Sequence, residues 1–374
     1  GQNLSALDDW ILAHPALAGP PAPEAVEYAA ARKKIAATVN AESRMAPAIM
    51  AGPAADEYLL IRGNGATPKE LVPRRFLEAF GGGGGQDRLD LARRMIDPQA
   101  TPLVPRVLVN RLWHHLFGRG LVPTVDDFGK MGLPTLQGDL LDALAQQFVA
   151  DGGSIKKLIR EIVLSAAYRR SSVAPARAHD VDPGNALWSH RDARRLPAEA
   201  LRDAMLAVSG RLDLTPAPKP VPIHLDGFQD GRGKPADGPV DGAGHRSIYL
   251  SVHRNFISSL LLAFDFPQPF SAIGRRSVSN VPAQSLILRN NPFVHDQAAF
   301  WAKRLAADAG PVDGKIDGMF RAAFARPATP DEIAGAKALL GDVASLKGAD
   351  PNSVDVWKEL AHTLFQAKEF LFIR

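Results

Sequence analysis

From Asp87 onward the apolar residues of this 374-residue chain return every three or four positions, in run after run. That period lines them along one stripe of a helix and cannot hold them on one face of a strand. The punctuation agrees. Asp87 caps a run through Leu89, Ala92, Met95 and Ile96 that Asp97-Pro98 closes. Pro105 suits the first turn of a second run, whose Leu108, Leu112 and Leu116 recur at intervals of four until Gly118 stops it. Leu140, Leu141, Leu144 and Phe148 mark a third, and Ser154 caps a fourth through Ile155, Leu158, Ile159, Ile162 and Ala166. Pro197 opens another, with Leu201, Met205 and Val208 inward and Gly210 at its end. Helical patterns resume over 256–265, 282–289, 292–308 and 315–324; Thr329-Pro-Asp-Glu332 is a capping sequence, and Ser353 caps a last amphipathic run that closes on Glu369-Phe-Leu. The predicted fold is mainly α, a multi-helix globular domain with long Pro/Gly-rich loops.

The exceptions are local. Glu57 to Gly63 has the β-rich apolar character of a strand. Arg246 to Arg254 alternates like one, with His245, Ser247, Tyr249, Ser251 and His253 on a polar face and Ile248, Leu250 and Val252 opposite, so a small β element is expected around 245–254. Thr215 to Gly244 is dominated by proline and glycine and reads as a long surface loop. Toward the N-terminus, Leu4 to His14 is a short amphipathic pattern, Gly19 to Pro23 a stiff linker, and Glu24 to about Ser43 a helix. Gly81 to Gly85, five consecutive glycines, makes a flexible joint. These marks divide the chain into an N-terminal segment, 1–80, and a helical domain, 86–374, with sub-blocks 86–175, 176–290 and 291–374.

Composition removes several function classes. Lys plus Arg 44 against Asp plus Glu 40 gives +4 with both signs mixed along the chain, which argues against nucleic acid as a partner. There are no cysteines, so disulfides, thiolate zinc sites, cysteine nucleophiles and covalent c-type haem attachment are excluded. The longest apolar runs, such as Ser258 to Phe264, fall far short of the ~20 residues of a membrane-spanning helix, so no membrane span is expected. Gly1-Gln2-Asn3 has neither a charged nor an apolar leader region, so any secretion signal is expected to have been removed or to lie upstream.

The stretch Asn110 to Gly129 is densest in groups that bind or do chemistry. Asn110 and His114 share one helix face, Arg111 and His115 a neighbouring one. Gly118 and Gly120 allow a sharp turn after the helix, and Asp126-Asp127 could then return a carboxylate to an imidazole. In that reading His114 is the acid/base, Asp127 or Asp126 orients it, and Arg111 or Arg254 neutralises developing negative charge. The competing reading makes Trp113, Leu116 and Phe117 core, His115 a solvated helix residue and one aspartate a turn cap. Adjacent histidines diverge by ~100° on a helix, and no His-x-x-x-His or His-x-His pair occurs, so no metal site is predicted. Tyr249 sits in a polar strip suited to sugar hydroxyls or simply to solvent. Arg254, Asn255 and Arg275 lie in an arginine- and asparagine-rich middle that suits carboxylate, sulfate or phosphate, or forms structural salt bridges to Asp265 and Glu199. Asn110, Trp113, Tyr249, Arg254, Asn255 and Arg275 are thus the candidate substrate-binding residues. No P-loop, dinucleotide fingerprint or serine nucleophile elbow is present, and no cofactor is expected in this chain.

Asn110-Arg-Leu-Trp113, Phe117-Gly-x-Gly120-Leu-Val and Asp126-Asp-Phe-Gly129 closely resemble a signature of the PSD domain, a domain of unknown function typical of planctomycete-type proteins. The resemblance continues through Ser154-Ile-Lys-Lys-Leu-Ile, Arg194-Arg-Leu-x-Ala-Glu199, Arg246-Ser-Ile-Tyr249, Arg254-Asn255, Phe264-Asp-Phe-Pro and Asn290-Asn-Pro-Phe, and covers roughly 57–374. Leu136-Gln137, where relatives often carry His-Pro, and His253, where arginine is common, depart from it. Members usually lie at the C-terminal end of long exported proteins, behind a planctomycete-type cytochrome c domain. The resemblance therefore implies an extracytoplasmic location, with 1–56 as the tail of a preceding domain. It also implies a polysaccharide ligand and a cytochrome c domain of the same or a partner protein. The function expected is binding or processing of a carbohydrate or similar polar polymer, by hydrolysis or elimination. The alternative is a non-catalytic module that docks a haem domain or partner subunit.

Overall fold

The computed structural model describes residues 23–38, 55–83, 87–227, 229–270 and 272–373. The chain divides into two units, Gly1–Ala92 and Arg93–Arg374. In the first, α1 (Pro23–Thr38) precedes a hairpin of β1 (Glu57–Leu60) and β2 (Pro68–Val72), antiparallel with Glu57 opposite Val72. The Leu4–His14 pattern, the part of the linker before Pro23 and the predicted end of the first helix near Ser43 lie outside the described residues. Of the five glycines, Gly84 and Gly85 also lie outside them; Gly81, Gly82 and Gly83 all have positive φ. Next comes α2 (Arg88–Ile96), where Asp87 Oδ1 accepts the Asp90 N–H at 2.9 Å, the cap the sequence predicts.

The second unit contains two helical cores. The first packs α3 (Leu103–Phe117), α4 (Gly138–Ala150) and α5 (Ile155–Leu164) around Val109, Trp113, Phe117, Leu141, Phe148, Leu158 and Ile162. Trp113 stacks on Phe117 at 4.2 Å, and Trp188 closes both rings edge-on. These rings decide which side of α3 is buried. The inward stripe is Val109, Trp113 and Phe117, whereas Leu108 is exposed and Leu112 and Leu116 are half-buried. The four-residue period is as predicted and its phase is one residue later, because aromatic rings bury more apolar area than leucines do.

The second core begins after the short α6 (Ala178–Val181) and the two-residue β3 (Arg194–Arg195). It comprises α7 (Ala198–Ser209), α8 (Ser259–Ala263), α9 (Pro282–Asn290), α10 (Pro292–Ala307), α11 (Val312–Phe324), α12 (Pro330–Lys347), α13 (Val354–Gln366) and α14 (Lys368–Leu371). Ala298, Ala302 and Ala361 are fully buried, and such small residues let α10 and α13 run close together. Trp357 has no exposed surface and donates its indole N–H to Asn352 Oδ1 at 3.0 Å. The capping box at Thr329 and Glu332 is present in full. Ser353 does occupy the first cap of α13, but its hydroxyl makes no hydrogen bond.

β3 pairs with β4 (Phe372–Ile373), tying the start of the second core to its end. The element expected around 245–254 is not an alternating strand. Ser247–Tyr249 forms a single 3-10 turn, with Ser247 buried and Ile248 exposed, flanked by isolated bridges from His245 to Asp213 and from Leu250 to Val221. Buried Arg202 explains the inversion. It donates to the His245 carbonyl and the Ser247 hydroxyl, and Ser247 in turn bonds Asp203, so the polar residue is drawn inward.

Candidate functional site

The site is built on the C-terminal end of α3. Gly118 ends the helix in the left-handed region, φ 88°, and returns its N–H to the His114 carbonyl at 2.7 Å. Two arginines from a distant segment take the next carbonyls: Arg194 donates to His115 at 3.1 Å and Arg191 to Leu116 at 3.3 Å. Guanidiniums suit this position because unpaired carbonyls and the negative end of the helix dipole converge there. A Cβ at Gly118 would run into the Arg194 side chain, so this glycine is needed for the approach as well as for the turn.

Asn110, one turn before His114, is fully buried and holds the following loop from inside. Its Oδ1 accepts the Val122 N–H at 2.9 Å, and its Nδ2 donates to the Val122 carbonyl at 3.0 Å. Gly120 leaves room for that amide. Asn110 is therefore a loop clamp and Trp113, 5% exposed, a core residue; neither is available to a substrate as the sequence suggested. The amphipathic phase of α3 turns both inward.

His114 is half-buried, and its pKa lies below the ordinary histidine value, first through burial and then through His115, Arg275, Arg111 and Arg194. His115 is lowered by burial, Arg111 and Arg276, and its ring lies 5.5 Å from that of His114. Arg276 is engaged in a two-pronged pair with Glu199 at 2.6 and 2.8 Å. Arg111 and Arg275 form no ion pair among the described residues. Gly274, beside Arg275, lies so close to the Asp126 side chain that a Cβ there would collide with it. The loop after α3 and the segment carrying Arg275 are thus interlocked.

The aspartates do not pair with the imidazole: among the described residues neither Asp126 nor Asp127 bonds to His114. Asp126 is exposed and seated against Gly274. Asp127 closes its own turn, accepting the Gly129 N–H at 2.8 Å while Thr124 donates to its carbonyl at 2.7 Å, and it lines a cleft of about 340 Å³ with Phe128 and Thr135. The expected histidine–carboxylate pair is replaced by a histidine among guanidiniums. Tyr249 is half-buried beside His245, and Arg254 and Asn255 are exposed with no side-chain hydrogen bond among the described residues. The groups that shift His114 are His115, Arg275, Arg111 and Arg194, and not these three. Of the expected salt bridges, Arg276 takes Glu199, while Asp265 goes to Arg195. Sequence reasoning placed His115 beside Arg111 on one helix face but did not single out Arg194 or Gly274 for this site. The one signal for Arg194 is its place in a short Arg-Arg motif, with nothing to indicate a helix end some eighty residues earlier. No group of three or more metal-ligating side chains occurs among the described residues, and none of their helices is long and apolar enough to cross a membrane.

Residues 87–340 match the PSD1 family, described as protein of unknown function (DUF1553), and the chain belongs to that family. Neither a curated protein nor a solved structure matches it.

Proposed function

We propose that this chain is an extracytoplasmic domain that binds and processes a carbohydrate or similarly polar polymer at the His114 face. The supporting observation is the half-buried imidazole held in its neutral form among Arg111, Arg194 and Arg275, two of which have no carboxylate partner among the described residues. A neutral imidazole beside unpaired guanidiniums joins a proton acceptor to hydrogen-bond donors for an anion, the two parts of general-base catalysis with charge stabilisation. The location and the polymer rest on the resemblance set out above; any haem chemistry would belong to another domain. Replacing His114 by Gln is expected to lower turnover of a plant or algal polysaccharide by roughly 10²–10⁴-fold with folding intact. Because the folded pKa is depressed, the base form prevails at neutral pH, and activity should fall only as pH drops below the ordinary histidine range. Unchanged turnover in the variant rejects the assignment.

A second reading, a module that docks a haem domain, draws on the hairpin of the first unit, where Tyr58, Leu59, Leu60 and Leu71 are all exposed. In that case Tyr58→Ser with Leu60→Ser would abolish co-purification with a c-type haem domain, and His114→Gln would change nothing.

A further inference from the structure

The groups that shift His114 are all basic. Arg111 precedes it by three residues on α3, Arg194 is bound to the neighbouring His115 carbonyl at 3.1 Å, the His115 ring lies 5.5 Å away, and Arg111, Arg194 and Arg275 all depress its pKa. Asp126 is held against Gly274 and Asp127 in its own turn. Glu199 is paired with Arg276 at 2.6 and 2.8 Å. Resting on the carbohydrate reading, we propose that the saccharide bound at His114 is acidic, a carboxylate-bearing uronate polymer, and that it is cleaved by β-elimination and not by hydrolysis.

The transition states separate the two reactions. Glycoside hydrolysis passes through an oxocarbenium-like, positively charged sugar and ordinarily uses two carboxylates flanking the bond. Guanidiniums around such a centre oppose it. Elimination builds negative charge instead, on the carboxylate and the carbon next to it, and planar guanidiniums meet a carboxylate with paired hydrogen bonds. In the step proposed, the His114 imidazole takes the proton from the carbon bearing the carboxylate. The electron pair left behind forms a double bond to the neighbouring carbon, whose bond to the glycosidic oxygen breaks. The departing oxygen leaves as an alcohol on taking a proton from solvent, and the imidazolium returns its own proton to solvent. No oxidant or reductant is required.

The test uses the full chain with polygalacturonate, alginate and a glucuronan, and with methyl-esterified polygalacturonate, a sulfated galactan and a neutral glucan as contrasts. Expected are salt-sensitive binding to one of the uronate polymers and growth of the ultraviolet absorbance of an unsaturated uronate. Arg275→Gln and Arg111→Gln should each weaken that binding about tenfold. His114→Gln should preserve binding and remove the absorbance, a combination that a merely structural role would not give. Binding of the neutral glucan or the methyl ester as tightly as the uronates overturns the acidic substrate and leaves the carbohydrate reading standing. Binding of the sulfated polymer alone overturns the carboxylate assignment. New reducing ends without absorbance overturn elimination, and failure to bind any of these polymers overturns the carbohydrate reading itself.

Discussion

The two helical cores of the second unit treat their polar groups differently. In the larger, α7 to α14, the buried polar side chains mostly face partners: Ser209 donates to Gln297 at 2.7 Å, Lys315 to Asn352 at 3.1 Å, and His362 Nε2 lies 3.0 Å from the Leu288 carbonyl. At its margin Arg326 binds Glu332 and Glu369 together, which holds Glu332 down at about 2. The smaller core, α3 to α5, is aromatic inside and cationic at one end. Arg191 lies over Tyr168 at 4.1 Å and Arg119 over Trp188 at 4.7 Å, while Arg111 and Arg275 stand without acids among the described residues. Paired charges satisfy one another in place; the guanidiniums of Arg111 and Arg275 beside His114 have no such acid partner among the described residues and keep their donors open.

The largest test of that contrast is Trp357→Ala, which should cost about 3–5 kcal/mol in chemical denaturation because the ring is wholly enclosed. An effect of under ~1 kcal/mol would mean that the larger core is not the stability centre. Next, Asn110→Leu should cost roughly 1–3 kcal/mol by stranding the buried N–H and carbonyl of Val122. It should also loosen the loop toward Asp126, read as faster amide exchange over 118–128; protection equal to the parent would show that the clamp is dispensable. The smallest effect concerns pH. Burial depresses the His362 pKa, the bond to Leu288 partly offsets this, and nearby His295 depresses it further. Its folded pKa being the lower one, the unfolded chain takes the proton first. The stabilisation is therefore complete above about pH 6.5 and is lost as pH falls from there through the folded value. His362→Gln should flatten that acid slope in urea titrations, and an unaltered slope would point to another group.

Helices and caps were legible because they follow from local chemistry. The boundaries at Gly118 and Gly210, the cap at Asp87 and the box at Thr329 all depend on neighbours in sequence. The inward phase of α3 was not, since Leu108-Leu112-Leu116 and Val109-Trp113-Phe117 are equally periodic and only tertiary packing chooses between them. The segment 245–254 alternates as a strand should, yet the buried guanidinium of Arg202 outweighs that pattern. For the site, the sequence drew attention to the end of α3, with His114 and Arg111, and to Arg275, and the fold brings these three together. It expected Asn110 and Trp113 to meet a substrate, whereas both are buried, and it gave no sign of Arg194, because the meeting of residues 115 and 194 is a property of the assembled chain.

Asp192 to Leu196 resembles an ordinary connecting loop, but its side chains are addressed in opposite directions. Arg194 goes to the end of α3, while Arg195 goes to Asp265 at 2.5 Å and to the Ser279 carbonyl at 2.8 Å. Asp265 itself has left-handed backbone, φ 60°; burial would raise its carboxyl, but Ser279 and Arg195 hold it below the usual range. In extended chain a shift of one residue exchanges the two sides. Lengthening or shortening this segment by a single amino acid would misdirect both guanidiniums at once, leaving an enclosed carboxylate without its counter-ion and a helix end with bare carbonyls. This short stretch is therefore the place where the register between the two helical cores is kept.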